Sequence, residues 1–381
     1  MITVNARILR LAAVTAGQFK SEQLTGHEQS KTKTGKKVPP VIRLTLTGQT
    51  LLIRARSTGG ELSIPVVTDQ SDSLLSVDAA PFDVWVEAAL LINYCHKISS
   101  TVTLDVNAKG LVVGTGQNTL ELPLQPAQDD LPWEELSLKA SFRASSLLDC
   151  IVHVRHLRAT ATANPAMLSA WRGILLEGNG TALRAVAGNA FSVAICGGAY
   201  TGETIRLLLP PGELNGLLAV LASEGDAQVK LLSDAGGSRL ELRGEHGHVR
   251  MNLMDHLAFP QYARIIPKGH TLSVRAEAED VRKALKQLQP LLAAERREVH
   301  LRVRQGRVEL TCQSEYGTAR AEFEAETTGE GFVTFNHTQL IQACAVKGPL
   351  TLSMSQSGLP ALVVRGAYVV VVAVVKPKLA A

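Results

Sequence analysis

The chain has 381 residues, of which 45% are hydrophobic and only 4% aromatic, with a formal net charge of +4. That composition excludes a disordered chain and leaves the cores to be built from Leu, Val, Ala and Ile. A charge this mild carries no argument for a polyanion partner by itself, so the placement of the cations has to decide.

From the N-terminus, Arg7 and Arg10 interrupt the apolar stretch 1–14, which therefore lacks a signal-peptide core. The same stretch predicts a helix over 6–15. Segment 19–37 has no apolar periodicity and carries Lys20, Lys31, Lys33, Lys36 and Lys37 against Glu22 and Glu28, a solvated loop or a phosphate-touching one. A strand pair over 41–56 turns at Gly48, a second helix is expected over 81–96, and another strand pair turns near Gly110.

The order then repeats. Helix 146–158 precedes a hairpin turning at Gly180, a helix over 211–222 opens on Pro211, and strands turn near Gly237. Helix 279–292 is the clearest, with Val281, Ala284, Leu285 and Leu288 on one face. It precedes a hairpin turning at Gly306, a helix over 336–346 in which Asn336 and Gln339 have capping-box spacing, and strands turning near Gly358. Gly48, Gly180 and Gly306 lie roughly 130 residues apart, a long internal period. The valine-rich segment 368–375 is too short to span a bilayer and reads as a buried strand. The fold class is α+β, with mostly antiparallel meanders and two helices per unit, and the expected domains are 1–137, 138–268 and 269–381.

Cys95, Cys150, Cys196, Cys312 and Cys344 form no CxxC pair and read as buried reduced thiols of a cytoplasmic protein. Catalytic signatures are missing: no phosphate-binding Gly-x-x-x-x-Gly-Lys-Ser/Thr, no Gly-x-Ser-x-Gly, no His-Glu-x-x-His. His153 and His156 lack a carboxylate or cysteine set for a metal. Gly244-Glu-His-Gly-His248 reads as a polar hairpin turn, and the adjacent Asp129 and Asp130 do not make a two-metal site. No cofactor and no chemistry are expected; a nuclease is disfavoured by the missing acidic cluster.

Several phrases resemble the bacterial β sliding clamp family, the processivity subunit of the replicative DNA polymerase. Phe259-Pro-Gln-Tyr-Ala-Arg-Ile-Ile-Pro267 is similar to the family's Phe-Pro-Asp-Tyr-Arg-Arg-Val-Leu-Pro, and Leu183-Arg-Ala-Val-Ala-Gly-Asn-Ala-Phe-Ser-Val-Ala194 to its Leu-Arg-x-Val-Ala-Thr-Asp-Gly-His-Arg-Leu-Ala. Phe335-Asn336 and Tyr368-Val-Val add to these, and their order covers essentially the whole chain. The resemblance implies a ring of six domains around duplex DNA, made by a head-to-tail homodimer with helices lining the hole. By position it implies dimer contacts at Leu120, Leu291 and Leu292.

A clamp needs sequence-blind, salt-sensitive attraction to phosphate, since base contacts would stop it sliding. The first helix of each unit is expected to bear basic residues opposite its apolar face: Arg7 and Arg10, then Arg155 and Arg158, then Arg282, Lys283 and Lys286. The expectation is that these recurrences occupy matching positions, with Lys31, Lys33, Lys36 and Lys37 adding to them. The second helices do not repeat the pattern, for Lys97 and Lys347 lie near two ends while the middle helix offers Glu213.

The family also implies a cleft that takes short apolar peptides of polymerases and the clamp loader. Matching positions are Trp171, Gly188, Ala190, Phe191, Ser192, Val193, Pro260, Ile265, Val370, Val371, Val372 and Ala373. Here the chain departs, because Phe191-Ser192 replaces His-Arg and Val371-Val372-Ala373 replaces Met-Pro-Met. Methionine repacks around varied partners, so its loss implies a stiffer cleft and weak binding of standard clamp peptides. Two alternatives stand beside the processivity clamp: a divergent paralogue serving a specialised polymerase or regulatory partner, and a structural ring with no DNA role.

Overall fold

The computed structural model describes residues 1–18, 41–48, 50–57, 59–66, 80–127, 136–159, 169–245, 247–292 and 297–375. Lys31, Lys33, Lys36 and Lys37, and Asp129 and Asp130, lie outside the described residues.

Three passes through one pattern account for the elements. The first runs β1 (Ile2–Asn5), α1 (Ala6–Gln18), β2 (Val41–Thr47), β3 (Thr50–Ser57), β4 (Gly60–Pro65), β5 (Phe82–Glu87), α2 (Ala88–Cys95), β6 (Thr101–Val106), β7 (Gly110–Thr115) and β8 (Asn118–Pro123). The second runs β9 (Ser137–Arg143), α3 (Ala144–Val154), β10 (Ile174–Asn179), β11 (Ala182–Gly188), β12 (Ser192–Ala199), the short β13 (Thr201–Gly202), β14 (Thr204–Leu209), α4 (Leu214–Glu224), β15 (Gln228–Ser233), β16 (Arg239–Arg243) and β17 (His248–Asn252). The third runs β18 (Leu272–Glu277), α5 (Ala278–Leu288), β19 (Glu298–Arg304), β20 (Arg307–Ser314), β21 (Gly317–Glu324), the short β22 (Glu326–Thr328), β23 (Gly331–Asn336), α6 (His337–Ala343), β24 (Pro349–Met354), β25 (Ala361–Arg365) and β26 (Tyr368–Val372).

Local chemistry fixes these elements. Gly48, Gly180 and Gly306 all have positive φ, which L side chains rarely adopt, at the hairpin turns the sequence marks. The side chain of Asn5 accepts from the Arg7 and Ile8 amides at 2.9 and 3.3 Å and opens α1. Asn336 likewise accepts from the Gln339 amide at 3.3 Å and opens α6. In α5, Glu279 and Asp280 occupy the first turn and Lys286 the last, complementing the helix dipole.

Three expectations are corrected. Each repeat opens on a strand rather than a helix, because Ile2 and Val4, Ala140 and Phe142, and Leu272, Val274 and Ala276 bury alternate positions. The first half of the helix expected over 81–96 is β5, whose Val, Trp and Val residues suit a pleated surface better than a helix. Pro211 sits in a turn ahead of α4 rather than in its first helical turn. The turn expected near Gly110 is present: Asn107 accepts from the Lys109 and Gly110 amides and Gly110 starts β7.

Strand order reveals how repeats join. Two sheets have nine strands, β13-β9-β15-β16-β17-β4-β3-β2-β5 and β14-β10-β11-β12-β26-β25-β24-β18-β22. Two have four, β1-β6-β7-β8 and β21-β20-β19-β23. At each nine-stranded seam the third hairpin strand of one repeat pairs antiparallel with the last strand of the next: β4 with β17, and β12 with β26. The chain divides into two compact units, one comprising 1–148, 201–203 and 209–254, the other 149–200, 204–208 and 255–381, and each contains one such seam.

In the first unit α1 covers one face of β2, β3 and β4, where Leu44, Ile53 and Leu62 are fully buried. The opposite face is polar. The buried carboxylate of Glu224, at the end of α4, accepts from the Glu245 and Gly247 amides, each at 2.9 Å, and anchors the turn between β16 and β17. In the second unit the Phe335 side chain is fully buried, and Ser192 Oγ donates to Gln339 Oε1 at 3.0 Å, tying β12 to α6. All five cysteines are free and buried. Among the described residues no helix is long and apolar enough to cross a membrane.

Half-buried His248 lies at the β4–β17 seam, and burial first, then Arg250, pushes its imidazole down to about 4. Arg54 and Arg243 act in the same direction and Glu241 opposes them. An unfolded histidine binds its proton near 6.5, so between those values the unfolded chain binds more protons and stability falls as pH falls. Urea unfolding of the wild type is expected to show a loss between pH 6.5 and 4 that is smaller in His248→Gln; equal pH slopes in the two proteins would contradict it.

Candidate functional site

The second seam gathers most of the residues expected to form a peptide cleft. Val193 pairs with Val371 and Ser192 with Val372 across β12 and β26. Alternation sends their side chains to two faces. Ser192, Val370 and Val372 point with Cys196 and Tyr368 toward the helices, where the Tyr368 ring meets His153 at 5.7 Å. Val193 and Val371 point the other way with Val186 and Gly188, toward Trp171. A Cβ on Gly188 would lie 2.5 Å from the Trp171 ring and 2.8 Å from the Ser192 carbonyl oxygen, so only glycine admits this approach.

Trp171 in turn packs on Phe259, with ring centroids 4.8 Å apart, and Phe259 meets Tyr262 edge-on. Asn189 shapes the rim: its Oδ1 accepts from the Phe191 and Ser192 amides at 2.8 and 3.0 Å, and its Nδ2 donates to Leu157 O at 3.1 Å. That turn leaves Phe191 58% exposed and Ala190 exposed beside it. Ala373 is half-buried and its amide donates to the Phe191 carbonyl at 2.8 Å. Pro260 is half-buried and Ile265 is 45% exposed.

The expected cations are placed unevenly. Ala6, Ala144 and Ala278 are each fully buried at the first position of α1, α3 and α5, which sets the helices in register. In that register only Arg10 and Arg282 correspond. Arg7 falls where the others have Ser145 and Glu279, and Lys283 falls where α3 has Asp149. The recurrence at matching positions is therefore corrected. The outward positions of α3 hold Ser145, Ser146, Asp149 and Val152, and its cations come after its end. Arg155 is exposed, whereas Arg158 is half-buried and donates to Arg172 O at 3.2 Å. Arg7, Lys283 and Lys286 are exposed. Arg282 is half-buried, donating to Ala278 O, and with Glu279, Lys283, Lys286 and Gln287 it lines a shallow depression. His153 Nδ1 lies 2.7 Å from Asp149 O and His156 Nε2 3.0 Å from Gln342 O, so both rings are engaged with backbone.

Leu120 on β8, Leu291 in the 3-10 turn after α5 and Leu292 just beyond it are each half-buried. Leu90 on α2 is 39% exposed and Ala319 on β21 is half-buried, and the sequence carries no direct signal for either. Only the strand order singles them out.

Solved structures of the same architecture exist. A sliding clamp from Pseudomonas aeruginosa bound to griselimycin superimposes with a TM-score of 0.79 at 21% identity, covering 98% of each chain. The DNA polymerase III β subunit of Thermotoga maritima superimposes with a TM-score of 0.80 at 17% identity, covering 100% of this chain and 99% of that one. The fold is that of a β sliding clamp.

In sequence, the chain is 23% identical over 342 residues to the β sliding clamp of Caulobacter vibrioides, covering 85% of this chain and 88% of the relative. It is 26% identical over 323 residues to that of Pseudomonas aeruginosa, covering 81% and 82%. No family model matches the sequence.

Within this clamp fold the departures at 191–192 and 371–373 have distinct structural consequences. Phe191 adds an exposed ring at the rim, while Ser192 turns inward to Gln339. Val372 lies opposite Ser192 on β12 and opposite Ala361 on β25, so β26 stays paired on both sides to its end.

Gly188→Val is expected to displace Trp171, lowering stability by about 1–3 kcal/mol and shifting tryptophan emission to the red. Unaltered emission and an unaltered urea midpoint would show that Trp171 is not wedged against this backbone.

Proposed function

We propose that the chain is a DNA sliding clamp without chemistry of its own, working in the cytoplasm as a head-to-tail homodimer around duplex DNA and tethering a polymerase. The domains of this reading are 1–137, 138–268 and 269–381, each one repeat. The observation that carries it is the pattern of seams. The last strand of each of the second and third repeats is taken by the third hairpin strand of the repeat before it. Among the described residues, that rule leaves one strand of each kind unpaired on that edge: β8 and β21. A second copy supplies the missing partner for each, and two such joints close a ring.

The register of this joint follows from the seams. Leu62 opposes Val249 in one and Ala194 opposes Val370 in the other, and all four are fully buried. The corresponding pair is Ala319 opposite Leu120 of a second copy. Both are half-buried in the single chain. The helices obey the same rule, since the 3-10 turn after α3 bonds α6 of the next repeat through His156. Leu291, in the corresponding turn after α5, and Leu292 just beyond it would meet α2 with its exposed Leu90. Each apolar side chain so covered contributes about 1–2 kcal/mol.

Arg7, Arg10, Arg155, Arg282, Lys283 and Lys286 are the described cations of this reading that would attract phosphate without reading bases. Arg158 has a smaller part in it because its guanidinium is already engaged. Lys31, Lys33, Lys36 and Lys37 belong to the same proposal. The cleft around Trp171, Gly188, Val193 and Val371 takes an apolar peptide of a polymerase or loader subunit. Phe191 and the valines, in place of methionine, favour the variant of this reading in which the clients are specialised.

Sedimentation of the wild type is expected to give twice the chain mass, and Thr318→Pro, which removes an amide from the open edge of β21, to give a single chain. A monomeric wild type, or a variant that stays dimeric, contradicts the joint.

A further inference from the structure

The two nine-stranded sheets have one backbone plan and opposite chemistry on the face away from the helices. The equivalence is fixed by buried residues. Leu51 and Leu183 hold corresponding places after the hairpin turns, as do Leu62 and Ala194, and Val249 and Val370. In the second unit the outward positions around the seam are Val186, Gly188, Val193, Ile195, Val369 and Val371. The matching positions in the first unit are Arg54, Arg56, Glu61, Ser63, His248 and Arg250. One strand further out, Leu362 and Val364 are replaced by Glu241 and Arg243.

The polar seam is cohesive on one side and unsatisfied on the other. Glu241 is buried and takes Arg243 Nε at 2.7 Å and Arg250 Nε at 3.0 Å. Burial raises the Glu241 carboxyl, but the two arginines outweigh it and hold it below its ordinary value. Glu61 is also buried, opposite both Arg56 and Arg250. By contrast the Nε atoms of Arg54 and Arg56 are buried without a hydrogen-bond partner. Four guanidinium groups over two carboxylates leave an excess of positive charge on a pleated surface. A structural ion-pair cluster alone has no need of the surplus, since an unmet buried donor costs about 1–3 kcal/mol.

We propose that the β4–β17 seam, centred on Arg54 and Arg56, is a second docking surface, and that it takes an acidic protein segment. The inference stands on the repeat equivalence and leans on the clamp reading only in expecting a peptide where the apolar seam takes one. Carboxylates on alternate residues of an extended segment stand roughly 7 Å apart. Such a segment, running along β3, places its charges on Arg54 and Arg56, which stand on alternate residues of that strand, and guanidinium binds carboxylate in a two-pronged fork. A nucleic acid strand fits less well. The seam positions include no aromatic side chain for bases to stack on.

The test is fluorescence anisotropy of the full chain with a labelled peptide of alternating glutamate and glycine at low salt. Saturable binding is expected, weakened at least ten-fold by Arg54→Gln with Arg56→Gln, retained in Arg54→Lys with Arg56→Lys, and unaffected by Lys283→Gln with Lys286→Gln. Single Arg54→Gln is expected to weaken it three-fold or more, which keeps the question decidable if the double variant unfolds. Absence of saturable binding overturns the proposal, as does loss through the Lys283 and Lys286 variant instead. Displacement of the peptide by oligothymidylate more readily than by unlabelled peptide also overturns it and indicates a nucleic-acid site. The glutamine variants are expected to keep the dimer mass, so failure here is separable from failure of the ring.

Discussion

An unpaired sheet edge is the constraint on which the rest of this molecule depends. A strand at an edge exposes a row of amides and carbonyls that another strand will satisfy. Each repeat is built so that its third hairpin strand ends one half-sheet and its last strand ends another. Within the chain two such edges are used up at the β4–β17 and β12–β26 seams. The remaining two, β8 and β21, bear side chains whose counterparts elsewhere are fully buried. Dimerisation in this account is the same packing step taken once more between chains, which is why a repeat of three can specify an assembly of six.

The chemistry of the seams diverges although their geometry does not. One carries valines and a glycine beneath Trp171; the other carries arginines and glutamates. Strand pairing fixes the backbone and the helix-facing side chains, so the outward positions are free to differ. The cations on the helices are governed by another requirement. Attraction to phosphate falls off with ionic strength and carries no base information, and a clamp needs that weakness. In the proposed reading exposed Arg7, Lys283 and Lys286 meet it, whereas the outward positions of α3 hold Ser145, Ser146, Asp149 and Val152.

Much of this was legible in the sequence. The turn glycines marked the hairpins because positive φ singles out that residue, and the 3.6-residue pattern of Val281, Ala284, Leu285 and Leu288 located α5. The opening strands were missed because each is only four to seven residues long and runs directly into a helix. The Val84-Trp85-Val86 run was misread as helix because an apolar triplet has no period of its own. The cleft residues followed from resemblance, and the structure brings Trp171, Gly188, Val193 and Val371 to one face. The basic positions do not correspond because α3 ends at Val154, ahead of Arg155 and Arg158, and the register is set by the buried alanines Ala6, Ala144 and Ala278. Ala319 and Leu90 left no mark at all, since their role is defined only by which edge remains open.

Retention on closed DNA tests the ring most directly. The protein would be loaded on a nicked circular duplex, isolated by gel filtration, and followed after the circle is cut at one site. The account requires retention on the circle, rapid loss on linearisation, and restored retention when both ends of the linear DNA are blocked by bound protein. Equal retention on circular and linear DNA would contradict it, because a protein that does not encircle the duplex has no means of sensing an end.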